Sequence, residues 1–124
     1  MTTQAEIIAH CLTHMGAYED HPFRSNMDYC VVRHGSGGKV FALIFQKDGK
    51  PWVNLKMEPM LGDFLRQSFD AVVPAYHMNK IHWISVILDG SVPDADIHHW
   101  VAHSFDLTAK KRKLSNANAK VGEF

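Results

Sequence analysis

The feature that most limits the fold is a succession of three strand-like runs, residues 28–33, 39–45 and 52–57, separated by turn chemistry. The first connection reads His34-Gly35-Ser36-Gly37-Gly38 and the second Lys47-Asp48-Gly49-Lys50-Pro51. An Asp-Gly pair supplies the positive φ that a tight hairpin turn needs. Three short strands joined this way predict an antiparallel meander. In the third run Val53, Leu55 and Met57 point to one side while Trp52, Asn54 and Lys56 point to the other. One face of the sheet is therefore expected to be covered and the other at least partly wet.

Amphipathic segments surround the meander. Thr3-Gln4-Ala5-Glu6 is a capping box, and behind it Ile7, Ile8, Cys11, Leu12 and Met15 share one helical face that Gly16 would end. Pro59 suits a first helical turn, with Met60, Leu61, Phe64, Leu65 and Phe69 as the apolar stripe of a second helix. A short strand is expected at 75–78, a tight turn at Asn79-Lys80, and a clearer strand at 82–88. Ser91-Val92-Pro93-Asp94 opens a third helix whose inner side carries Ile97, Trp100, Val101, Ser104 and Phe105. The order is α-β-β-β-α-β-β-α. It predicts an α+β fold, a two-layer sandwich with an antiparallel sheet backed by helices. Residues 1–109 read as one domain and 110–124 as a polar, basic C-terminal tail.

Charge and composition exclude several classes. With 13 basic and 13 acidic residues the 124-residue chain carries no net charge, so attraction to a polyanion must come from a local patch. Hydrophobic residues at 46% and charged residues at 21% fit a globular domain rather than a disordered one. Cys11 and Cys30 each lie in an apolar run and read as buried free thiols. Residues 1–15 lack the basic start of a signal peptide, and no apolar stretch reaches membrane-spanning length, so a cytoplasmic monomer with no membrane contact is expected.

Catalytic signatures are missing. There is no G-x-S-x-G elbow, H-E-x-x-H or phosphate-binding glycine loop, because the glycines at 35, 37 and 38 lie between two strands rather than before a helix. No enzymatic activity and no cofactor are expected. The nine histidines yield only pairs. His99 and His103 stand four apart on the third helix beside His98, and His77 and His82 flank the Asn79-Lys80 turn. A zinc site needs three or four convergent ligands, so no metal site is expected.

Positive signal lies in the basic and aromatic residues. Lys39, Lys47, Lys50, Lys56 and Lys80 fall at hairpin tips and on the wet strand face, with Trp52 and Trp83 nearby. Such cations suit phosphate contacts while rings stack or pack. A further basic run, Lys110-Lys111-Arg112-Lys113, would add non-specific affinity.

Three segments carry a family resemblance. Val53-Asn54-Leu55-Lys56, then Pro74-Ala75-Tyr76-His77-Met78-Asn79-Lys80 and His82-Trp83-Ile84-Ser85-Val86, resemble the MmcQ/YjbR family of small bacterial proteins. His21-Pro22-Phe23, Lys39-Val40-Phe41-Ala42, Asp89-Gly90-Ser91-Val92-Pro93 and Ser104-Phe105 extend the likeness over about residues 5–109. Arg24 departs from it, standing where a glycine usually follows the Pro-Phe pair. The resemblance implies a fold similar to secretion chaperones and DNA binding through a double-wing surface. The positions that match the family's pattern are Asn54, Lys56, His77, Asn79, Lys80, His82 and Trp83. The expected function is non-enzymatic DNA binding by basic hairpin wings, with Lys39, Lys47, Lys50, Lys56 and Lys80 near phosphates. His77, His82 and Trp83 would shape the surface between them. The alternative is a protein-binding, chaperone-like module that uses the open sheet face.

Overall fold

The computed structural model describes residues 1–23 and 28–109. Arg24 and the basic run at 110–113 lie outside the described residues. The chain runs α1 (Gln4–Cys11), β1 (Tyr18–Asp20), β2 (Cys30–Arg33), β3 (Val40–Lys47), β4 (Lys50–Lys56), α2 (Pro59–Ser68), β5 (Val72–Pro74), β6 (Trp83–Ile87) and α3 (Asp94–Thr108). The expected α+β architecture is present, with one strand more than predicted. All neighbouring strands are antiparallel, in the order β1-β2-β3-β4-β6-β5, so β6 inserts between β4 and the older edge strand β5.

Local chemistry explains most boundaries. The Thr3 hydroxyl accepts from the Glu6 amide and the Glu6 carboxylate accepts from the Thr3 amide, completing the capping box of α1. The helix ends at Cys11, a turn before the apolar pattern does. There the Thr13 hydroxyl and amide both donate to the His10 carbonyl, and His14 N donates to Cys11 O, so the coil tightens and leaves Met15 in solvent. At the β3–β4 hairpin Asp48 has φ 53° and Gly49 φ 75°, the left-handed pair that the sequence predicts. Gly35 in the preceding turn has a different duty: a Cβ there would lie 2.6 Å from the Gly16 carbonyl oxygen, so the segment between α1 and β1 and the β2–β3 turn meet backbone to backbone.

The main core lies between the sheet and the helices, around Phe41, Ile44, Val53, Leu55, Ile84 and Ile97. Period-two alternation along β4 places Val53 and Leu55 there. Hydroxyls fasten α3 to this layer. Ser104 Oγ donates to the Phe41 carbonyl and accepts from Lys56 N, and Thr108 Oγ1 lies 2.8 Å from Nε2 of the buried His34.

Three expectations are corrected. The short strand expected at 75–78 is instead β5, where two valines favour extension before Pro74, and His77 at φ 64° interrupts any ladder further on. The α2 stripe is narrower than predicted, because Met60 and Phe64 are 87% and 64% exposed while Leu65 and Gly62 face the sheet. The second face of β4 is not wet: Trp52 and Asn54 are buried along with Val53 and Leu55. What covers them is the loop from Ala75 to His82.

Candidate functional site

The loop between β5 and β6 leaves and rejoins the sheet at the Lys56 end of β4, since Pro74 pairs with Ile84 and Trp83 with Lys56. Between these stems it folds back over the face opposite the helices. Three buried or half-buried polar contacts pin it. Asn54 Nδ2 donates to the Tyr76 carbonyl at 2.7 Å, Tyr76 N donates to Ser85 Oγ at 2.9 Å, and Ser85 Oγ donates to Asn54 Oδ1. Asn54 and Ser85 are wholly buried and directly paired across β4 and β6. Their side chains thus give the loop backbone the partners it would lose by leaving water. Further out, Asn79 Oδ1 accepts from the amides of Ile81 and His82, and Lys80 Nζ donates to the Ala75 carbonyl at 2.9 Å.

Pinned this way, the loop lays Tyr76 against an aromatic floor. Its ring centroid is 5.7 Å from that of Phe45, 6.3 Å from Trp52 and 3.9 Å from His77. Tyr29 stacks on Phe45 at 5.3 Å and lies 6.4 Å from His77, and Phe23 meets Tyr29 edge-on. Val31 and Leu43 complete the apolar base. Burial is the main influence that pushes the Tyr29 hydroxyl above its ordinary value. Over this floor sits Lys47, its Nζ 5.1 Å from the Tyr76 centroid and 5.5 Å from Trp52. A cation over two ring faces is an attraction of about 0.5–2 kcal/mol per pair. Lys47 also pairs directly with Lys50 in the hairpin, so both side chains project on this face. Carboxylates stand near each: Lys47 Nζ is 3.2 Å from Asp48, and Lys50 is a minor influence, after hydrogen bonds from Ser91, holding Asp89 below its usual range.

The fold separates the remaining predicted residues. Lys50 and Lys56 are the two ends of β4, about 20 Å apart at the usual rise of a strand. Lys39, just before β3, stands at the Lys56 end, as do the stems of the loop that carries Lys80. The five lysines therefore form two groups at opposite ends of the sheet rather than one ridge. His77 and His82 are exposed and Trp83 is half-buried beside Lys56. Asn54 has no exposed surface and cannot touch a ligand; its place is structural, holding the loop. The Tyr29, Phe45 and Tyr76 cluster has no local sequence signal, because two tyrosines outside the strands meet a strand phenylalanine only once the loop is folded back.

On the helix side, histidines concentrate where α1, α3 and the β2–β3 turn meet. His10 and His98 stack at 3.8 Å with nearly parallel rings, and Phe105 packs on both His14 and His34. An open cavity of about 320 Å³ on α3 is lined by His98, His99, Ala102, His103 and Asp106. Glu58 Oε1 lies 3.2 Å from His103 Nε2. His99 and His103 join no group of three convergent metal-ligating atoms among the described residues.

Helices on one side of a six-stranded antiparallel sheet, and a loop-covered aromatic face on the other, define a small α+β sandwich class. The chain belongs to the YjbR family, whose model matches residues 12–107. It is 33% identical to the YjbR protein of Escherichia coli K12, over 90% of this chain and 96% of that one. The YyaQ protein of Bacillus subtilis is also 33% identical, over 87% of this chain and 99% of its own length. Among solved structures, a Pseudomonas syringae protein superimposes with a TM-score of 0.78 at 32% identity, covering 86% of this chain and 99% of that one. A Deinococcus radiodurans protein does so with a TM-score of 0.80 at 29% identity, over 99% of this chain and 88% of that one. No helix among the described residues is long and apolar enough to cross a membrane.

Proposed function

We propose that this protein binds DNA without catalysing a reaction on it, and that a single strand lies along the loop-covered face of the sheet. The observation that carries this reading is Lys47 held over Tyr76 and Trp52 beside Lys50, which joins positive charge to ring faces on one surface. Tyr76 is 37% exposed and His77 is exposed beside it, so both offer faces to an unstacked base. Stacking platforms flanked by cations are how single strands are held without sequence preference. Lys56, about 20 Å further along, would meet the same strand's phosphates at the far end. This arrangement favours a single strand over a duplex straddled by wings, since the two cationic groups are separated by rings rather than by an open groove.

Labelled single-stranded and duplex oligonucleotides titrated at rising salt test the reading. The single strand should bind more tightly, with a log–log salt slope of about −0.7 per phosphate neutralised. Lys47→Ala with Lys50→Ala should flatten that slope by about 1.4, and Tyr76→Ala should cost about 1–3 kcal/mol of affinity. No binding at low salt, or binding indifferent to all three substitutions, overturns it.

The alternative of a protein-binding module on this same sheet face has less support, because the Asn54–Ser85–Tyr76 contacts already fill its centre with the protein's own loop. Exposed apolar side chains are spread over Met15, Met60, Phe64 and Ile81 rather than gathered on this face.

A further inference from the structure

β1 is a three-residue edge strand with no apolar pattern, and its two sides carry different chemistry. On the side of Tyr18 and Asp20, Arg33 Nε donates to Asp20 Oδ2 at 2.8 Å and its Nη1 to the Gly38 carbonyl, a structural ion pair. Glu19 projects on the opposite, helix-facing side, because it pairs with Val32, which belongs to the main core. His21 follows two residues on and Cys30 two residues before Val32, so alternation brings all three to one side. His21 Nε2 lies 2.6 Å from Glu19 Oε2, and one ligand atom from each of Glu19, His21 and Cys30 falls within 4.8 Å of both others.

We propose that Glu19, His21 and Cys30 form a zinc-binding site at this edge of the sheet. The donor set is one thiol sulfur, one imidazole nitrogen and one carboxylate oxygen. Thiolate and imidazole favour zinc over magnesium or calcium, which take oxygen ligands. Three protein ligands with a fourth position left to water is the arrangement of an open zinc site. Access fits as well: Cys30 is 2% exposed and forms the floor, while Glu19 and His21 stand in solvent at the rim. Ladder pairing of Glu19 with Val32 and of Cys30 with Ile44 holds both backbones, so little ordering remains for the ion to impose.

Binding balances as an exchange of protons for metal. The Cys30 S–H bond breaks as the sulfur–zinc bond forms, the thiol proton passes to water, and any proton on His21 Nε2 leaves likewise. Without metal, burial first and the Glu19 carboxylate second push the Cys30 thiol up to about 12. A divalent cation between sulfur and carboxylate would neutralise that second influence and reverse the preference, since a coordinating thiol is deprotonated. The site is separate from the aromatic face and does not depend on the DNA reading.

Cobalt(II) serves as the probe. The full-length chain, reduced and free of chelators, should take up one equivalent with a thiolate-to-cobalt charge-transfer band in the near ultraviolet, and zinc should erase that band. Cys30→Ser should remove it and Cys11→Ser should leave it. Glu19→Gln and His21→Ala alter exposed side chains that the core does not need, so they test the site even if Cys30→Ser fails to fold. Each should weaken cobalt binding about tenfold or more. The inference is overturned by absence of the band in the unmodified chain, or by its survival in Cys30→Ser. Cobalt uptake without the band, lost on His99→Ala with His103→Ala, would place the metal on α3 and overturn it equally.

Discussion

The two faces of the sheet are both buried, yet by different means. The helix side is closed by apolar side chains from α1, α2 and α3, and its exclusion of water follows from shape and area. The other side is closed by one loop, whose backbone is held by two buried polar side chains and whose ring lies on Phe45 and Trp52. The first kind of cover is robust because many contacts share the load. The second depends on a few hydrogen bonds in a low-dielectric setting, where each is strong when made and costly when lost. A surface built the second way can lift locally without melting the domain.

Substitutions on the two faces sharpen this contrast. Phe41→Ala removes a fully buried ring from the helix side and should cost about 3–5 kcal/mol of global stability in denaturant unfolding. Asn54→Ala, equally buried on the other side, should cost only about 1–3 kcal/mol. Its distinguishing effect should be faster amide hydrogen exchange confined to the loop from Ala75 to His82, with the helix-side core still protected. Loss of protection across the whole sheet in Asn54→Ala would abolish the distinction.

Acid should act through the helix side. Burial, then the charges of His98 and His14, holds His10 below the ordinary histidine value, and burial likewise lowers His34. Both imidazoles take up protons more readily in the unfolded chain, so stability is full above about pH 6.5 and is lost as pH falls through and below it. Thermal melting should occur at lower temperature near pH 5 than at neutrality, and His10→Gln should reduce the difference. A melting temperature that does not fall on acidification would remove this role from the histidine stack.

The smallest effect is expected outside both cores. Met60→Lys with Phe64→Lys on α2 should change stability by about 0.5 kcal/mol or less, because neither side chain packs on the sheet. A larger loss would mean that α2 shares in the helix-side core more than its exposure indicates.

What the sequence disclosed follows the same division. Period two in Val53-Asn54-Leu55, the Asp48-Gly49 turn and the Thr3–Glu6 capping box are local signals, and each element they predict is present. Strand β1 escaped because Tyr18-Glu19-Asp20 has no apolar alternation; it exists by pairing with β2 at an edge, where charge is tolerated. Met60 and Phe64 have helical spacing and fall in the predicted apolar stripe, but spacing cannot tell which side of a helix a sheet will meet. The Glu19, His21 and Cys30 convergence needs the β1–β2 register, so a search for ligand pairs along the chain passes over it. The Asn54 side chain matches a family pattern that implies a contact to DNA, whereas its burial and its bond to the Tyr76 carbonyl assign it to the loop.

The place of β6 between β4 and β5 has a consequence for the nascent chain. As the ribosome delivers residues in order, the β3–β4 hairpin can close early, while the free edge of β4 must wait for α2, β5 and the loop to emerge before its neighbour arrives. During that interval β4 offers unpaired amides and carbonyls alongside Val53 and Leu55, an invitation to self-association that ends only when β6 slots in. Completion of the sheet is therefore tied to synthesis of its last strand, and a truncated product ending before Trp83 would be prone to aggregate.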